Sequence, residues 1–144
     1  MSALEILLKL IKESEGCKLT AYKCPAGVWT IGWGATGKGV VEGLVWTQEF
    51  ADEQLHNAAM SVLTSAVKAS PILSTENIEK HAAIADFVYN LGIGNYRSST
   101  LKKRVDVGNW GAAASEIQRW DKVRGKPLRG LTIRRLKEAE LLLV

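Results

Sequence analysis

Glu15-Gly16-Cys17-Lys18-Leu19-Thr20-Ala21-Tyr22-Lys23-Cys24-Pro25-Ala26-Gly27-Val28-Trp29-Thr30-Ile31-Gly32 passes from one kind of secondary structure to another. Just before it, Leu4, Leu7, Leu8 and Ile11 recur at the spacing of one helix face. Tyr22 to Trp33 is instead aromatic, β-branched and broken by Pro25 and Gly27, the pattern of a hairpin. A carboxylic acid, Glu15, therefore stands at the exit of a helix and faces a hairpin that carries a thiol, Cys24, and a hydroxyl, Thr30. The stretch can hold an acid, a nucleophile or base, and a hydroxyl around one cleft.

Thr47 is positioned as the cap of the next helix, with acids in its early turns and apolar residues at Ala58, Ala59, Val62, Leu63, Ala66 and Val67 before Pro71. Some twenty residues of helix are roughly 30 Å long, which suits a strut between two lobes. Beyond Pro71, Ser74 or Thr75 can cap a helix through Ile78, Ala82, Ala85 and Val88 that Gly92 and Gly94 end. Helical stretches are also expected over Ser99 to Val107, Trp110 to Trp120 and Leu131 to Leu143. With three strands expected between Leu19 and Trp46, the fold class is α+β. One domain over 1–144 is expected, with an N-terminal helix and β lobe over about 1–46, a linking helix over about 47–69 and a helical lobe over about 70–144.

The 144 residues, 47% of them apolar, are ordinary for a globular protein. No apolar run approaches the ~18 residues of a membrane span, and Glu5 and Lys9 interrupt Leu4 to Ile11, so neither a transmembrane anchor nor a signal peptide is visible. Nineteen basic against fifteen acidic residues give a net charge of +4, which suits a polyanion: nucleic acid, an anionic membrane or bacterial cell wall. No P-loop, zinc-finger or helix-turn-helix pattern accompanies the charge, which argues against nucleic acid.

The stretch resembles the phage lysozymes, also called endolysins or muramidases. Their pattern is a Glu, an Asp or sometimes a Cys, and a Thr in a Thr-Ile-Gly run, met here by Glu15, Cys24 and Thr30-Ile31-Gly32. The likeness continues through Phe87-Val88-Tyr89-Asn90-Leu91-Gly92, Arg97-Ser98-Ser99-Thr100-Leu101, Arg119-Trp120 and Gly130-Leu131-Thr132-Ile133-Arg134-Arg135-Leu136-Lys137-Glu138, and so covers nearly the whole chain. It implies a lysozyme-like fold, a small β-hairpin lobe and a helical lobe joined by a long helix, with the substrate in the cleft between them. One departure is Ala35, where a structural His is usual.

Cleaving a glycosidic bond needs a proton for the leaving oxygen and either water attack on the anomeric carbon or its stabilisation from the opposite face. The resemblance implies Glu15 as general acid, the second catalytic position at Cys24, and Thr30 placing water beneath the sugar ring. A thiol is mostly protonated at neutral pH, so Cys24 is open to three roles: base, covalent nucleophile or polarisable wall. Tyr22, Trp29 and Trp33 are suited to stack on sugars or to fill the core. Asn90, Ser98, Ser99 and Thr100 resemble the peptidoglycan-binding segment and also suit helix capping. The resemblance implies that either Arg134 or Arg135 pairs with Glu15. Cys17 and Cys24 are a possible redox pair. His56 and His81 lie in helices away from the cysteines, against a thiol protease, and Cys17 and Cys24 lack zinc-ligand spacing, so neither metal nor other cofactor is expected.

The expectation is therefore a glycoside hydrolase, a lysozyme acting on bacterial peptidoglycan at the β-1,4 bond between N-acetylmuramic acid and N-acetylglucosamine, for phage or prophage lysis. It is expected to be a monomer made in the host cytoplasm and to act in the periplasm or cell wall, without stable membrane insertion, reaching it through a lesion made by another protein. Two other readings stay open: a catalytically weak peptidoglycan-binding module, and membrane disruption by the basic, apolar stretch Leu131 to Val144.

Overall fold

A computed structural model describes residues 1–144. Helix α1 (Ala3–Glu15) begins at a capping box in which the Glu5 amide donates to the Ser2 hydroxyl at 3.1 Å and the Glu5 carboxylate accepts from the Ser2 amide at 3.4 Å. It ends at Gly16, whose φ of 65° turns the chain sharply behind Glu15. Strands β1 (Lys18–Lys23) and β2 (Trp29–Gly32) pair antiparallel, with Tyr22 opposite Thr30 and Lys23 opposite Trp29. The turn between them closes through Gly27 N–H to Cys24 O at 2.8 Å.

The expected third strand is reduced to a single bridge, Thr20 to Val45, flanked by backbone bonds from Ala21 N to Leu44 O and from Trp46 N to Leu19 O. Gly43, at a φ of 86°, breaks the extended run before it can form a ladder. Helix α2 (Gln48–Ala69) is capped by Thr47, which accepts from the Phe50 amide, and its 22 residues make a rod of about 33 Å. A 3-10 turn over Pro71–Ser74 follows and engages Ser74 and Thr75 through their hydroxyls to Pro71 O and Ile72 O. The cap of α3 (Ile78–Leu91) is consequently Asn77, accepting from the Lys80 amide, and not either of those residues.

After α3 come α4 (Ile93–Arg97), α5 (Thr100–Asp106) and α6 (Trp110–Ile117), then a hairpin of two-residue strands, β3 (Lys122–Val123) and β4 (Lys126–Pro127), and α7 (Arg129–Leu142). α3 runs through the middle, packed by α1, α2 and α7. Its Ala82, Ala83 and Ala85 are wholly buried and let the neighbouring helices approach closely. On one side Leu7, Ile11, Leu55, Ala59 and Leu63 pack with Ala82 and Ala85; on the other Phe87, Tyr96, Leu101, Val105 and Ile117 pack with Ala139 and Leu142.

Two expectations are corrected here. α1 packs on α2, α3 and α7, so it belongs with the helices and not with a β lobe over 1–46, because Leu7 and Ile11 find their apolar partners there. The C-terminal stretch is not a free interfacial helix, since Ala139 and Leu142 are core residues and Arg134, Arg135 and Glu138 are buried. No helix is long and apolar enough to cross a membrane.

Ala85→Leu forces a side chain into the α1–α3 contact. It should destabilise by about 1–3 kcal/mol, seen as a lower urea midpoint with an unchanged slope; an unchanged midpoint would show that the helices are not in tight contact there.

Candidate active site

The turn at Gly16 leaves the Glu15 side chain at the end of α1, four-fifths buried, with its carboxyl lying against Gly34. A Cβ built on Gly34 would fall 2.7 Å from Glu15 Cδ, and the Gly34 φ of 95° is one that side chains avoid. Glu15 Oε2 accepts from Arg134 Nη1 at 2.6 Å. The same guanidinium donates from Nε and Nη2 to both oxygens of Asp86, at 2.9 and 2.7 Å. Arg134 is buried and Asp86 wholly so. Burial alone would push the Asp86 carboxyl up, yet the Arg134 charge and hydrogen bonds hold it below the usual carboxylate range. The choice left open between the two arginines thus resolves geometrically. Arg134 reaches Glu15, while Arg135 turns to Glu138 at 2.8 Å, stacks over Phe87 and is sealed in the core, so it does not line the cleft.

Opposite Glu15 stands the β1–β2 hairpin. Tyr22 and Thr30 are directly paired, and Cys24 lies two residues further along, so all three side chains issue from one face of the ribbon. The Tyr22 phenol is pushed up, first by burial and then by its acidic neighbours Glu15 and Cys24. Thr30 is almost buried and donates its hydroxyl to Val28 O at 2.9 Å, leaving its lone pairs as acceptors. Cys17 and Cys24 are free thiols at opposite ends of β1. Seven extended residues separate their Cα atoms by roughly 20 Å, against about 7 Å at most for a disulfide. In this fold they are not a bonded redox pair, and a bond between them requires β1 to come apart.

Trp33 is fixed at both ends: its indole N–H donates to Asp52 at 2.7 Å, and its carbonyl accepts from Tyr89 at 2.6 Å. The Tyr89 hydroxyl is pushed far up, chiefly by burial and then by Glu15, and so stays a donor. Trp33, Gly34, Ala35 and Tyr89 help line a cavity of about 330 Å³ where hairpin and helices meet. The neighbouring Asn90 keeps its Oδ1 buried without a partner. Ser99 caps α5, accepting from the Lys102 amide and donating to Tyr96 O at 2.6 Å, which commits its hydroxyl to the fold. Ser98 donates to Gly94 O, and Ser98 and Thr100 are exposed.

Sequence reasoning missed Asp86, Gly34, Tyr89 and Arg124. Arg124, in the turn of the second hairpin at a φ of 52°, brings Nη2 to 3.6 Å from the site of a Gly27 Cβ, so the two hairpin tips meet. Only Gly34 carried a legible signal, as a glycine directly after Trp33 at the end of a strand.

Gly34→Ala should displace the Glu15 carboxyl and cost activity by at least about tenfold, a scale expected when a reacting group is misplaced by an ångström. Circular dichroism should report the helices intact. Full activity in that variant would mean Glu15 need not sit where it does.

Residues 12–138 match the phage lysozyme family. An endolysin of Acyrthosiphon pisum secondary endosymbiont phage 1 is 38% identical over 138 residues, spanning 93% of this chain and 92% of the relative. The active form of the P1 phage endolysin Lyz superposes with a TM-score of 0.81 at 27% identity, over 96% of this chain and 83% of that one. The secreted inactive form of the same protein gives 0.65 at 27% identity, over 96% and 94%. The muramidase domain of SpmX from Asticaccaulis excentricus gives 0.79 at 28% identity, over 96% and 95%. With a hairpin wall facing a buried, arginine-held glutamate and a family match over most of its length, the chain belongs to the phage lysozyme family.

Proposed function

We propose that this chain is an N-acetylmuramidase that hydrolyses the β-1,4 bond between N-acetylmuramic acid and N-acetylglucosamine in peptidoglycan, in phage or prophage lysis. The observation that carries this is Glu15, held by Arg134 at 2.6 Å across from a hairpin wall bearing Tyr22, Cys24 and Thr30. Glu15 gives its proton to the leaving oxygen, and the opposite wall serves the anomeric carbon. Thr30, whose hydroxyl proton is engaged with Val28 O, accepts a hydrogen bond from the attacking water. Cys24 stands at the second catalytic position. Asn90 Oδ1, buried and without a partner, suits an acetamido N–H of the substrate. Trp33 offers its indole to a sugar ring, with Ser98 and Thr100 exposed for peptide or glycan contacts. The higher superposition on the active than on the inactive form of Lyz supports reading this conformation as a working one. The protein acts as a monomer and depends on a separate membrane lesion to reach the wall.

Glu15→Gln keeps shape and removes the transferable proton, so turnover should fall at least about a hundredfold with an unchanged melt. Mass spectrometry of muropeptides released by wild type should find muramic acid at the new reducing end. Glucosamine there, or cut peptides on intact glycan, would overturn the muramidase reading; wall binding without soluble fragments would mark a binding module.

Cys24→Asp should stay active and Cys24→Ala fall sharply. If a thiolate is the base, the acid limb of the wild-type rate should lie at higher pH than that of the Asp variant, because a thiol keeps its proton to higher pH than a carboxylic acid. Superimposable limbs would remove Cys24 as the titrating base.

A further inference from the structure

The β3–β4 hairpin carries a side chain that its turn does not favour. Lys122 pairs with Pro127 and Val123 with Lys126, which leaves Arg124 and Gly125 as the turn residues, at φ of 52° and 79°. Two-residue turns at positive φ fit the twist of a hairpin, and their first position favours Asn, Asp or Gly. Arg124 is the only residue other than glycine at positive φ in the chain. A side chain kept in that conformation against local preference points to a task outside the turn.

Where the guanidinium goes defines the task. Arg124 Nη2 lies 3.6 Å from the site of a Gly27 Cβ, in the turn where Gly27 N–H bonds to Cys24 O at 2.8 Å. Arg124 therefore reaches from the helical lobe to the hairpin wall beside Cys24. No acid meets it there. The stretch from Cys24 to Val28 contains none, and no side-chain ion pair engages Lys23, Arg124 or Lys126, whereas Lys122 is matched by Asp121 at 3.0 Å. Lys23, over the ring of Trp29, adds a second positive charge to the facing tip. Two tips of like charge thus meet with no acidic side chain to offset them, an arrangement that an anion stabilises. Nine basic against three acidic side chains over residues 97–129 draw an anionic polymer to the same lobe.

We propose that Arg124 is a specificity-determining residue that binds a carboxylate of the peptide stem borne by muramic acid, so that the enzyme prefers glycan whose stems are present and ionised. This rests on the muramidase reading above. The stem leaves the same sugar whose bond is cut, and three of its residues reach roughly 10 Å from the ring. A guanidinium suits a stem carboxylate because its planar fork offers two parallel donors. Arg124 makes and breaks no bond; it raises affinity and leaves the chemistry to Glu15 and the hairpin wall.

The test compares two preparations of soluble glycan strands from wall freed of phosphate polymers, one native and one with its stem carboxylates converted to methylamides by carbodiimide coupling. Wild type should lose about two- to fivefold in kcat/KM on the amidated strands, the scale of an exposed ion pair, through KM with kcat unchanged. Arg124→Asn gives the turn a residue it favours, so its melting temperature should equal or exceed that of wild type. On native strands it should show the reduced kcat/KM, and on amidated strands lose nothing further. A wild type indifferent to amidation overturns the proposal. So does an Arg124→Asn variant that loses equally on both substrates, as a purely structural role would give. Mass spectrometry of the same digests separates the underlying reading: new reducing ends without muramic acid would overturn the muramidase assignment, whichever substrate is preferred.

Discussion

A buried guanidinium has to be satisfied on all sides, and Arg134 meets that requirement by drawing three helices to one point. Its two bonds to Asp86 tie α7 to α3, and its third, to Glu15, ties both to the end of α1. Truncating Asp86 to an apolar residue would leave the desolvated Arg134 charge without its buried partner, a cost of several kcal/mol in comparable buried pairs. The sites of the caps follow from this node. α1 must stop at Gly16 for Glu15 to turn inward, and Gly34 must lack a side chain for the carboxyl to lie there.

Such a node is possible only where helices come close. The alanines of α3 provide that proximity, and the apolar clusters on its two sides supply the burial that offsets the desolvated charges. The largely buried contacts of Arg134 with Asp86 and Glu15 define the relative rotation of α1, α3 and α7 more narrowly than apolar packing alone would.

Helix periodicity made α1, α2, α3 and α7 legible within a few residues, because each buries one repetitive apolar face. The Glu15 exit and the β1–β2 hairpin were legible for the same kind of reason: a change of period and two turn residues. What escaped had no local signature. Asp86 reads like any polar residue within an apolar helix, and its partner lies 48 residues away in sequence. The β3–β4 hairpin has strands of two residues, too short for alternation, and its turn places Arg124, not an asparagine, at positive φ. Asn77 was passed over as a cap because Ser74 and Thr75 offered equally good side chains, until the 3-10 turn took them. The separation of Cys17 from Cys24 depended on β1 running its full six residues, which their spacing in sequence could not fix.

The assignment of Glu15 to the helical body has a mechanical consequence. Glu15 and the arginine that holds it ride on one piece, while Tyr22, Cys24 and Thr30 ride on a ribbon that approaches the opposite side through the tips at Gly27 and Arg124. A shift of the ribbon would change the width between the two, yet leave the bonds from Arg134 to Glu15 and Asp86 untouched. The bonds that hold Glu15 are thus made within the helical body, independently of the wall that faces it.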